Sequence, residues 1–210
     1  MQEAVSDALG QLVFFIVNKV EETQEKKELL DNFLKLPLGL LEKSPNKAVQ
    51  AGGAQCLSKV IQNSPEDILC EVLDELTDKM IQVISLNSFK AHTQLLECVI
   101  SLVFHVEQDF TPYAAKFLPV LIEFIACTDW GTKKVAIDAI YSMTAIVKEE
   151  IIPFRLDILQ VLNHCRFDKI KPVREATLET IKLIKEIGPP LDEDQLAIIE
   201  DKQGKPSHKN

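Results

Sequence analysis

The sequence is poor in the residues that break regular structure or build sites. Seven glycines and ten prolines in 210 residues leave little room for a loop-rich fold. Phosphate-cradling glycine loops and the GxSxG and HExxH patterns are missing, and the four histidines (92, 105, 164 and 208) are scattered, so neither enzyme activity, a metal nor a cofactor is expected. His164 and Cys165 are chain neighbours, which point apart on a helix and do not make a metal site. The five cysteines contain no CxxC pair and fall in or at the end of apolar helical runs; they read as reduced thiols rather than disulfides. The apolar run LVFFIV (12–17) is far too short to cross a bilayer, and no secretory signal is evident, so neither a membrane nor a small-molecule substrate is expected, and a cytoplasmic setting is the default. Basic residues are in deficit, with a formal net charge of −9, which argues against a general nucleic-acid binder.

What is abundant is apolar: 46% of the chain, placed at helical rather than alternating spacing. The spacing repeats. Segments 43–61, 86–103, 127–147 and 166–184 align, and one register position holds Gln50, His92, Lys133 and Arg174, at intervals of 42, 41 and 41 residues. A partial copy at 4–20 puts Ser6 at the same position, 44 residues before Gln50. A period of this length is that of HEAT and armadillo repeats, about 40–47 residues.

Each period reads as two helices. In the third full copy Ala114, Phe117, Leu118, Leu121, Phe124 and Ile125 line one helix, and Val135, Ala136, Ala139, Ile140, Met143, Ile146 and Val147 a second. Pro37 and Pro119 fall inside first helices, whereas Pro172 opens one. The expected fold is therefore all-α: an α-solenoid of stacked helical hairpins at about 25–63, 65–106, 112–148 and 153–187. The helix at 4–20 is expected to be an orphan second helix, so the chain is expected to be a fragment, a truncated form or an isoform. After Ile187, residues 188–210 read as a polar tail or linker in which Leu196, Ile198 and Ile199 could dock a short helix.

Sorting charges by turn uncovers a segregation that the net charge hides. Turns inside hairpins carry Lys43, Lys47, Lys90, Lys133, Lys134, Arg166, Lys169, Lys171 and Arg174, against only Asp129 and Asp168. Turns linking hairpins carry Glu21, Glu22, Glu66, Asp67, Glu107, Asp109, Glu149 and Glu150. Turns inside hairpins start helices, where the helix dipole favours acids, so their basic character runs against the local electrostatic preference. That edge points to an acidic partner. Trp130 lies on it beside Lys133 and Lys134, with Phe89 next to Lys90 and Phe167 next to Arg166. Each ring is either an anchor among cations or a staple folded back onto its own turn.

The runs VQAGGAQCLSKVIQNSPED (49–67), TDWGTKKVAIDAI (128–140) and CRFDKIKPVREATLETIKLIKEI (165–187) resemble the N-terminal HEAT domain of the plant Tortifolia/Spiral microtubule-associated proteins, a relative of the TOG domain. The resemblance covers nearly all of 1–187. It implies a non-catalytic module that binds tubulin or microtubules, at the cytoskeleton, through the turns inside its hairpins. By position it assigns that edge to Trp130, Lys133, Lys134, Arg166, Lys169, Lys171 and Arg174; charge and aromatic placement add Lys47, Phe89 and Lys90. The alternatives are a general HEAT adaptor for an acidic protein and, further off, a phosphate-backbone binder.

Overall fold

A computed structural model describes residues 2–200. Every regular element among them is helical, and the fold is an α-solenoid of paired helices. The chain divides between Phe117 and Leu118 into two compact units.

In the first unit, α1 (Gln2–Lys19), α3 (Lys47–Asn63) and α6 (His92–Val106) lie side by side, with α3 in contact with both neighbours. Helix α2 (Thr23–Lys43) pairs with α3. The close approach has a sequence cause: a Cβ on Gly53 would stand 3.2 Å from the Pro37 carbonyl oxygen and 3.1 Å from Leu40 Cβ. Pro37 is buried inside α2, facing the residue that makes room for it. The first helix of the next pair is broken into α4 (Glu66–Cys70) and α5 (Leu73–Ile84). Ser58 and Gln62 of α3 hydrogen-bond Ser101 of α6, adding polar stitches to an apolar seam.

Helix α1 is not left without a partner. Its Val13 and Val17 are fully buried, Gly10 sits against Lys59 and Asn63 of α3, and Asp7 pairs with Lys59 at 2.8 Å. Phe14 and Phe15 remain exposed. One face of α1 therefore uses the lateral seam that α3 offers, while Phe14 and Phe15 stand on an exposed one.

The α7 helix (Thr111–Ile125), with Pro119 inside it, crosses the boundary between the units. In the second unit α8 (Trp130–Ile146) packs on α11 (Lys171–Glu186), and α10 (Arg155–Cys165) pairs with α11, after the short turn α9 (Lys148–Ile151). Arg155 is buried and donates to the Ile184, Lys185 and Pro189 carbonyls, satisfying the open C-terminal end of α11. Burial lowers its pKa from the usual arginine value. The expected linker contains a helix, α12 (Glu193–Glu200), that packs on α10 and is tied to it by Asn163 Nδ2 donating to the Ile199 carbonyl at 3.0 Å. Residues 201–210 and the side chain of Ile198 lie outside the described residues.

The cysteines are free thiols, Cys98 and Cys165 buried and the other three half-buried. Burial raises the pKa of all five; Cys70, which also donates to Asp109, is pushed up to about 11. These protonated thiols suit packing rather than reactivity. No helix among the described residues is long and apolar enough to cross a membrane.

Candidate partner-binding edge

At Gln50 and at Lys133 the register position near the start of a second helix laces successive turns together. In the first unit Gln50 is 0% exposed. Its Nε2 donates to Ser44 O at 2.8 Å in its own turn and to Ser88 O at 3.2 Å in the next, and its Oε1 accepts from Lys90 N at 2.8 Å. A buried amide makes full use of its donors and acceptor and holds two turns of one edge at fixed spacing. Asn46 caps α3 by accepting from Ala48 N, which brings exposed Lys47 to the first helical position. Lys90 is also exposed, on a backbone that Gln50 fixes.

The second unit has an ionic version of the same stitch. Lys133 Nζ lies 2.8 Å from Asp168 Oδ2, with side chains only 17% and 16% exposed. The bond to Asp168 raises the Lys133 pKa; the same bond, aided by the Ile170 N–H, lowers that of Asp168. Arg174, at the register position of the last pair, donates to the Asp168 and Lys169 carbonyls and braces that turn. Lys133 and Arg174 thus have internal work, and their charge is partly committed before any partner arrives. Lys134 pairs with Asp138 along α8, and Lys171 with Glu175 at 3.2 Å in the open, a screened contact of little strength. Arg166 and Lys169 are exposed.

The three aromatics divide. Phe89 is 3% exposed and packs edge-on against His92 at 5.1 Å; of the anchor and staple readings left open for it, this burial fits the staple. Trp130 occupies the same register, three residues before Lys133 as Phe89 is before His92, yet it is 52% exposed. The difference lies in where the helix begins. Asp129 Oδ2 accepts from Thr132 N at 2.9 Å and from its hydroxyl, so α8 starts at Trp130 and projects that side chain from its first turn. Helix α6 starts three residues later in register, at His92, and the irregular turn before it lets Phe89 fold inward. Phe167 is 77% exposed, with the Arg166 guanidinium 5.9 Å from its ring centroid. Sequence pattern left all three rings open between anchor and staple; the Asp129-x-x-Thr132 cap spacing was the available signal for Trp130. Arg155 and Asp168 carry structural roles that periodicity does not single out.

The linking turns are acidic and exposed at Glu21, Glu22, Glu66, Asp67, Glu107 and Asp109 in the first unit, and at Glu149 in the second.

Comparison with known proteins agrees with this architecture. Two solved structures of engineered proteins share the fold, with TM-scores of 0.66 and 0.62 at 15% identity, covering 95% and 89% of this chain and 77% and 44% of theirs. TORTIFOLIA1-like protein 1 and Microtubule-associated protein TORTIFOLIA1, both of Arabidopsis thaliana, are each 29% identical over 90% of this chain. The chain spans only 23% and 22% of their lengths. TORTIFOLIA1-like protein 5 of the same plant is 30% identical over 68% of this chain and 28% of its own. The family model described as TORTIFOLIA1 N-terminal matches residues 1–186, and the chain belongs to that family.

Proposed function

We propose that this chain is a non-catalytic microtubule-associated module that binds tubulin or microtubules through the turns inside its hairpins. The reading rests first on one observation: Lys47, Lys90, Arg166, Lys169 and Lys171 are exposed in turns that lead into helices, where local electrostatics favours acids. Such cations raise the encounter rate with an acidic surface and orient it. Family membership supports the choice of partner, since one relative is named a microtubule-associated protein. The stitches at Gln50 and Lys133 support the mode of binding, because turns pre-set within each unit lose little entropy on docking. Co-sedimentation with microtubules over a salt series tests it. Exposed charges are screened beyond about 8 Å at physiological ionic strength, so the bound fraction should fall steeply as salt rises. Binding to another acidic protein but not to microtubules would favour the adaptor reading, and binding indifferent to salt would remove the electrostatic mechanism.

A further inference from the structure

We propose that a groove across α1, α3 and α6 binds an extended basic segment of a partner protein, whose cationic side chains enter it one per helix. The groove belongs to the first unit and goes beyond the microtubule-binding reading, on which it does not depend. Its volume is about 550 Å³, far more than the ~30 Å³ that one water takes up. Gln94 of α6 lines it, and among the described residues Gln94 Oε1 is buried with no hydrogen-bond donor. A buried acceptor in that condition is costly to keep and points to a donor from outside the fold. The donors in the groove's own walls are spent elsewhere. The Ser6 hydroxyl donates to the Glu3 carbonyl at 2.9 Å, the Ser58 hydroxyl to Ser101 at 3.0 Å, and the Lys59 ammonium pairs with Asp7 at 2.8 Å. The walls therefore offer acceptors: Gln94 Oε1, the amide oxygen of exposed Gln55, and the carboxylates of exposed Glu3 and Glu97. Such walls select a ligand made of donors and positive charge, which an arginine or lysine side chain supplies.

The acceptors recur with the repeat. Gln11, Gln55 and Glu97 stand five residues after Ser6, Gln50 and His92, the matching positions of α1, α3 and α6, and all three are exposed. Packed helices lie about 8–10 Å apart, and every third residue of a polyproline-II segment advances ~9 Å along one face. A segment with a basic residue at every third position thus meets one helix per step.

The experiment titrates the wild-type chain and its variants at low salt with a fluorescently labelled peptide of three Arg-Pro-Pro units, and with a second peptide of the same composition whose arginines are contiguous. The wild type should bind the spaced peptide more tightly than the contiguous one. Gln94→Leu should weaken binding of the spaced peptide about tenfold or more, the size of a lost hydrogen bond to a charged group. Its melting temperature should not fall, because leucine replaces an acceptor that has no donor. Gln94→Glu should tighten binding and Glu97→Gln should weaken it. Glu66→Gln/Asp67→Gln, in a linking turn, should leave it unchanged. No binding of the spaced peptide, equal binding of the two peptides, or a Gln94→Leu loss within about twofold, well short of a charged hydrogen bond, overturns the proposal. A Gln94→Leu chain that melts well below wild type also overturns it, since Oε1 would then serve the fold. A linking-turn loss as large as that of Gln94→Leu would trace the affinity to net charge and reject the groove. Spermidine bound as tightly as the spaced peptide would give the groove to a free polyamine and reject the protein partner.

Discussion

Replacing Gln50 by leucine removes the stitch of the first unit while keeping the side-chain volume close to native. Three short hydrogen bonds disappear: to Ser44 O, to Ser88 O and from Lys90 N. The 3.4 Å contact to Leu41 O also goes, but it is long and adds little. A typical intramolecular hydrogen bond contributes about 1 kcal/mol net, and a buried group left unpaired costs about 1–3 kcal/mol. Ser88 and Lys90 are exposed residues whose backbone can recover water, which offsets part of the loss. The expected destabilisation is therefore about 2–3 kcal/mol, read as a lower urea midpoint with an unchanged slope. Gln50→Glu should be worse than Gln50→Leu, since a carboxylate would face carbonyl oxygens it cannot donate to, in a site 0% exposed. In Gln50→Leu the Lys90 amide should exchange with solvent faster than in wild type, because its acceptor is Gln50 Oε1. A loss below about 0.5 kcal/mol, the size of a neutral surface change, or glutamate tolerated better than leucine, would refute the stitch.

The ionic stitch should depend on pH at both ends. Asp168 is held below its ordinary 3.8, so its contribution is present above that value and fades as pH falls through the lower folded value; Lys133 is held above 10.5, so its contribution is complete below 10.5 and fades as pH rises through the higher folded value. The stability gap between wild type and Lys133→Met should therefore be about 1–2 kcal/mol at neutral pH and narrow at both acid and strongly alkaline extremes. A gap that is flat from pH 3 to 11 would show that the pair contributes packing rather than charge. Phe89→Ala should destabilise by about 3–5 kcal/mol, whereas Trp130→Ala should cost about 1 kcal/mol, because half of its surface is already wet; thermal unfolding in which the two are equal would contradict the division between staple and anchor. Gly53→Ala should destabilise by about 1–3 kcal/mol through overpacking, because the Pro37 carbonyl, being backbone, cannot swing away.

The helical repeat was legible because burial of one helix stripe forces a period, and Gln50, His92, Lys133 and Arg174 mark it. What those four residues do was not legible. Two of the partners of Gln50 lie 38 and 40 residues away, and nothing in local propensity announces them. Phe89 and Trp130 share a register but not a fate. Their directions follow from a three-residue difference in helix start, set at Trp130 by the Asp129 cap and absent at Phe89. Counting cations in turns also overstated the free charge, since Lys133 is engaged by Asp168 of the next turn and Lys134 by Asp138 of its own helix.

The most direct test of the account is a position-specific charge reversal with net charge held constant between variants. Lys169→Glu/Lys171→Glu reverses two cations in the turn and at the start of α11; Lys182→Glu/Lys185→Glu reverses two exposed cations near the end of the same helix. Both variants change the protein's charge equally. In co-sedimentation with microtubules at low salt, the first pair should abolish binding and the second should leave it near wild type. Equal losses in both would mean that total charge, and not an edge built by the hairpin turns, governs the interaction.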